Sequence, residues 1–368
     1  MARPFVKMGW IEEATDGPAR DVLQALERVE PGLQQLRDAS SRPACHFSVT
    51  WEDGASAKIP HVKILMDAQD SIALRARAYL ALGDSAAALS EIRLGLRLCD
   101  AMKDEPFMVP SIVWAALLGK VSEVVWQGLA ENSWSDAELK QLMSEFATRD
   151  AIARWQWAMR SERVAINHML DTILAGGRRK FAESMTETTE TPLTPEFVIV
   201  SYLYPRGWLY QNKAKISQAI DAKLERISTD TRSIAPASVG EHYLSLAGQD
   251  PFAPLYSIWA REIMFIYREA EKGLLYSQAQ TNAVASGCAL ELFRRRHGSF
   301  PETLLEAMDE ASKSISIDPC DGQPLRYRKT ETGYRLWSVG ADRKDDGGIP
   351  GTNSKPRQNP DWVWEIGA

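Results

Sequence analysis

Apolar residues recur at the three- and four-residue spacing of amphipathic helices along most of this chain, and that periodicity limits its fold more than any other feature. Val22, Leu23, Leu26, Val29, Leu33 and Leu36 form one such stripe and predict a single amphipathic helix within the first forty residues. Residues 61–102, 106–130, 135–148, 151–174, 211–227 and 255–296 continue the periodicity, the last as one helix or as two meeting near Gly273. Strand-like patterns enter in force only at 324–328 and 334–339, on either side of the turn-prone Thr330-Glu331-Thr332-Gly333. A long helical region followed by a small hairpin predicts a mainly α protein with an α+β tail. At 368 residues the chain is long for one core, so the expectation is a helical domain over 1–254 and a long helix with a small α+β domain over 255–368.

Local signals refine this plan. Gly83-Asp84 separates Ala76, Tyr79 and Leu80 from Ala88, Leu89, Ile92, Gly95 and Leu96. Small residues at 83, 88 and 95 let two antiparallel helices approach closely, and residues 75–98 resemble one tetratricopeptide hairpin. Ser135 and Glu138 have the spacing of a capping box. Residues 45–51 read as a short extended piece. Gly176-Gly177 offers a helix end, and the polar run over 178–195, with its Met-Thr-Glu-Thr-Thr-Glu-Thr-Pro stretch, predicts a mobile surface loop.

Charge and chemistry exclude several classes. The net charge is -6, and the two basic clusters, Arg178-Arg179-Lys180 and Arg294-Arg295-Arg296, fall near the ends of predicted helices, where cations suit the dipole. Nucleic acid is therefore not an expected partner. Cys45, Cys99, Cys288 and Cys320 form no CxxC, which leaves zinc and thioredoxin chemistry without support, and Cys288 reads as a small core hydrophobe. The five histidines show no HExxH spacing, and Ser238-Val239-Gly240 lacks the frame of a nucleophile elbow. No run approaches the roughly 18 consecutive apolar residues of a membrane-spanning helix, and residues 1–10 lack a signal-peptide core. The protein is then expected to be cytoplasmic, or to have lost an anchor that precedes Met1.

The tail carries a longer pattern. Phe293, Gly298, Phe300 and Pro301 close a helix; Asp318-Pro319 and Gly322-Gln323-Pro324 follow. Then come Tyr327, Tyr334, Ser338-Val339-Gly340-Ala341-Asp342, Gly347-Gly348 and Asp361-Trp362. In this order and spacing the chain from 275 onward resembles the periplasmic domain of the major pseudopilin of type II secretion. The resemblance implies a helix, a loop, a hairpin, and then a loop that holds calcium. It would place the ion on the Asp342 carboxylate and the backbone carbonyls of Val339 and Lys344, with Asp361 closing the loop from its far end. Asp345 and Asp346 are further carboxylates in that loop. The departures are Arg343, where the family has glycine, and the helical protein that stands in place of a membrane-spanning fibre helix. A solvated acidic turn is the competing reading of the same residues. The whole layout resembles helical proteins of planctomycete and verrucomicrobial type that carry an N-terminal anchor, which implies a periplasmic or cell-envelope location.

Two functions stand after this reading. One is a non-enzymatic interaction or structural protein whose helical region presents a groove to a protein partner. Seven tryptophans (Trp114, Trp126, Trp134, Trp155, Trp157, Trp208 and Trp259) are expected mostly in its core. The other is an enzyme with a site in the irregular region 234–254, near Glu241 and His242, or at an aromatic cleft formed by Tyr202, Tyr204, Trp208 and Tyr210.

Overall fold

The computed structural model describes residues 17–189, 204–235, 258–309, 313–351 and 356–367. It is 67% helix and 7% strand, a mainly α protein with a small C-terminal sheet. The helices are α1 (Pro18–Leu26), α2 (Glu30–Ser40), α3 (His61–Ala81), α4 (Ser85–Ala101), α5 (Met108–Ala130), α6 (Asp136–Ala147), α7 (Ala151–Thr189) and α8 (Arg206–Glu225). A two-residue ladder, β1 (Ile227–Ser228) with β2 (Ser233–Ile234), precedes α9 (Ile258–His297). The tail sheet follows as β3 (Arg326–Lys329), β4 (Tyr334–Ser338) and β5 (Trp362–Ile366).

The helical starts and stops are local chemistry. Asp84 caps α4 through the N–H of Ala87, and Ser135 with Glu138 forms the expected reciprocal capping box on α6. In the hairpin of α3 and α4, a Cβ on Gly95 would stand 3.0 Å from the Gln69 side chain, so the two helices meet where one has no side chain. Gln69 is buried there and donates to the Leu117 carbonyl at 2.8 Å, tying α3 to α5. Among the described residues α5 is the one helix long and apolar enough to cross a membrane, with a mean hydropathy of 1.5. Within this protein 61% of that apolar stretch is buried, against α3, α4, α7 and α9.

One sequence expectation is corrected, an open one is decided, and a third is given its detail. The polar loop placed at 178–195 is helical through Thr189; the chain breaks direction at Gly177, with φ 69, and resumes. Arg, Lys, Ala, Glu and Met between 178 and 185 are strong helix formers, and propensity outweighs the missing apolar stripe. Residues 190–195 lie outside the described residues. Helix α9 runs unbroken through Gly273, because buried Leu274 and Leu275 outweigh a glycine cost of about 1 kcal/mol. The extended piece at 45–51 pairs with no strand among the described residues; it passes without regular structure into a 3-10 turn, Trp51–Ser56, after Phe47 stacks on His61 with ring centroids 4.0 Å apart.

Helix α9 is the central element. It packs against α5, α6, α7 and α8 on one side and against the tail on the other. Its interior carries a buried polar ladder: Gln278 accepts the N–H of Ala151 at 2.7 Å and donates to Asn282, which donates to the Ile317 carbonyl at 2.6 Å. The start of α7 and the loop before β3 are thereby fastened to the same helix. Most buried apolar residues form one continuous cluster from Leu33 to Ile366, with Cys288 within it as expected, and Val22, Ala25, Leu26 and Ala78 form a smaller second one. The sheet is antiparallel in the order β3-β4-β5, with Tyr327 opposite Leu336 and Leu336 opposite Trp364. Tyr334 of β4 meets Trp126 of α5 and Phe300 edge-on, and Trp362 of β5 meets Tyr276 of α9 in the same way. A hairpin alone would be marginal; the third strand and the helix supply its burial.

Candidate cation site in the C-terminal loop

The loop from 339 to 361 joins β4 to β5, and its first residues are set by close approach. At Gly340, with φ 65, a Cβ would overlap the carbonyl oxygen of Pro360, so only glycine lets the start of the loop lie against its end. Val339 is buried, and its N–H donates to Asp318 Oδ2 at 2.9 Å. Asp342 is exposed; its Oδ1 accepts the N–H of Lys344 at 3.2 Å, and Lys344 is exposed as well. Asp361 is only 1% exposed. Its Oδ2 accepts the N–H of Gly348 at 2.8 Å, while its buried Oδ1 makes no well-aligned hydrogen bond. Burial raises the Asp361 pKa, against the opposing pull of the Gly348 and Asp346 N–H groups, and the charges of Asp345 and Asp346 raise it further.

The four residues proposed for calcium thus belong to one closed loop but play unequal parts. The fold ties Val339 inward and buries Asp361, and it leaves the Asp342 carboxylate and the Lys344 side chain facing solvent. Among the described residues no three His, Cys, Asp or Glu side chains are grouped as a metal site. A loop that coordinates largely through backbone carbonyls needs fewer carboxylates, and calcium accepts such mixed oxygen sets. The buried Oδ1 of Asp361, which makes no well-aligned hydrogen bond, fits a hard cation.

Where carboxylates do converge in the tail, the cation is part of the protein. Arg326 pairs with Asp321 at 2.5 Å, Asp318 at 3.4 Å and Asp345 at 3.8 Å. Asp345 also accepts Trp337 Nε1–H at 2.9 Å and the Gly347 N–H; these bonds, the indole first, hold its pKa below the usual range. Sequence reasoning took Asp318 for a turn residue only. It is fully buried and accepts the N–H groups of Cys320 and Val339 and the hydroxyl of Ser338. Burial raises its pKa despite those three donors. Arg343, whose charge was expected beside the ion, sits at φ 62 with Nη1 buried and unpaired. Burial lowers its pKa first and the neighbouring Arg226, just past the end of α8, second.

The alternative sites are thinner. Tyr204 and Trp208 meet edge-on at 5.2 Å, with Tyr204 accepting from Asn212 at 3.2 Å, and Tyr210 is 56% exposed. Tyr202 lies outside the described residues, as do Glu241, His242 and nearly all of the region 234–254. Of the seven tryptophans, Trp114, Trp134, Trp155 and Trp259 are buried, and Trp157 is exposed. All four cysteines are free, three of them buried. No protein family, no curated protein and no solved structure matches this chain.

Proposed function

We propose that this is a non-enzymatic interaction or structural protein whose pseudopilin-like tail is locked by calcium in the loop between β4 and β5. The observation that carries the proposal is the Asp361 carboxylate, sealed at the end of that loop with one oxygen that makes no well-aligned hydrogen bond. The order of elements supports it: a long helix, a three-stranded antiparallel sheet against its flank, and an acidic glycine-bearing loop before the last strand. Asp361 and Asp342 would give carboxylates, and Val339 and Lys344 backbone carbonyls. The helical region is the part that meets a protein partner, with exposed apolar side chains at Val109, Ile112, Trp157, Val164, Phe265 and Ile266 as contact surface. Tight packing at Gly95 supports reading its α3–α4 hairpin as tetratricopeptide-like. A periplasmic or cell-envelope location belongs to the same proposal, since extracellular concentrations of calcium suit weak oxygen sites.

The test is a melting curve of the full chain with calcium, magnesium or chelator. A ligand that binds only the folded state stabilises it by about 2.7 kcal/mol at a hundredfold excess over its dissociation constant. Calcium is expected to raise the melting temperature, and magnesium to substitute poorly because it demands tight octahedral geometry. A curve indifferent to calcium would reduce the loop to a solvated turn.

A further inference from the structure

A cavity of about 230 Å³ lies between the turn Trp51–Ser56, the start of α5 and the middle of α7, far in sequence from the tail. Its walls are apolar, with Trp51, Phe107, Met108, Ile166 and Met169 among them, and its one charged lining residue is Glu162. Trp51 and Phe107 meet edge-on at 5.4 Å. Phe107 is held at φ 74, a strained conformation for a bulky side chain, at the entry to α5.

Glu162 is the unusual member. Its Oε1 accepts the Met108 N–H at 2.7 Å, and its Oε2 accepts the Tyr267 hydroxyl at 2.9 Å. A carboxylate offers about four acceptor positions, so roughly half of its capacity stays open. Among the described residues no lysine, arginine or histidine pairs with it, and the two neutral donors are its only hydrogen-bond partners. Burial raises its pKa, and those donors pull it back. A partly buried carboxylate without a counter-charge is costly, and a cation that reached it would relieve that cost. The aromatic walls also favour a cation, through the negative faces of their rings.

We propose that this cavity binds a small organic cation, an amine on a single-ring or short aliphatic body, with its ammonium on Glu162 and its apolar body against Trp51, Phe107 and Met169. Size sets the class. A dry cavity of about 150 Å³ takes a benzene ring, so this one takes a ring and a short arm. It is smaller than the roughly 300–1,000 Å³ of drug-sized sites.

Calorimetric titration of the full chain with phenethylamine and with phenethyl alcohol, its uncharged counterpart, tests this. The amine is expected to bind roughly ten- to a hundredfold more tightly than the alcohol, the scale of a hydrogen bond to a charged group. Glu162→Gln keeps an acceptor for the Met108 N–H and should level the two affinities. Ala165→Phe fills the cavity, leaves the carboxylate in place, and should abolish binding of both. Equal affinities in the parent, no binding of either probe, a preference that survives Glu162→Gln, or binding unchanged in Ala165→Phe would each overturn the proposal. Circular dichroism of both variants checks that α5 is intact, and the parent comparison decides the matter if either fails to fold.

Discussion

Asp318 Oδ2 accepts the backbone N–H of Val339 at 2.9 Å, across a separation of 21 residues, and so joins the turn before β3 to the first residue of the calcium-candidate loop. The same carboxylate takes the Cys320 N–H and the Ser338 hydroxyl on its other oxygen. One buried side chain therefore holds the geometry in which that loop departs from β4.

Removing that side chain should be severe. Asp318→Ala leaves two buried N–H groups and the Ser338 hydroxyl without their acceptor and strips Arg326 of one partner, at a cost of about 3–5 kcal/mol. Urea unfolding measures it. A loss under 1 kcal/mol would mean that solvent replaces the carboxylate easily.

Calcium should discriminate between the two loop carboxylates. In Asp361→Ala the buried oxygen is gone, and the melting temperature should no longer respond to calcium. Asp342→Ala removes a carboxylate that already faces solvent, so a weakened but surviving response is expected from this geometry. The family frame assigns Asp342 the main carboxylate, and complete loss in that variant alone would favour the frame over the fold seen here.

Asp361 should also make stability depend on pH, and the sign follows from burial. Its folded pKa is raised, so the folded chain holds this proton where the unfolded chain has lost it. The stability it contributes is complete below the ordinary carboxyl range, about pH 4, and is lost as pH rises through the raised value. With calcium removed, the parent should lose ground relative to Asp361→Asn as pH rises from about 4 through the raised value, read as urea midpoints. A constant difference across that range would contradict the assignment.

Gly128 of α5 should tolerate no side chain. A Cβ there would press into the indole of Trp134, whose Nε1 donates to the Val125 carbonyl at 3.1 Å. Gly128→Ala must push the ring aside, and overpacking of this kind costs about 1–3 kcal/mol. The near-ultraviolet circular dichroism of the tryptophans should change with it.

What the sequence disclosed follows the range of its signals. Helical stripes and the Ser135–Glu138 box are local; the box is in the structure, whereas the Val22 to Leu36 stripe, expected as one helix, is divided into α1 and α2 by a 3-10 turn at Glu27–Val29. The last strand, Trp362–Ile366, carries an alternating Trp-Val-Trp-Glu-Ile pattern but went unread, because its partner Tyr334–Ser338 is separated from it by the whole loop. Glu162 was invisible for a related reason, since its partners lie 54 and 105 residues away, and Asp318's tie to the loop departing from β4 spans 20 and 21 residues, beyond any local window. The failed polar loop at 178–189 shows the converse, a segment without an apolar stripe that still keeps helical propensity.

The ladder on α9 has a consequence for how the protein is made. Gln278 caps the start of α7 from 127 residues downstream. At about 5–20 residues per second, a ribosome needs roughly 6–25 seconds to supply that helix after Ala151 has been joined. Through that interval α5 and α6 exist without the surface they are built to cover, and the nascent chain must be kept from aggregating until its central helix arrives.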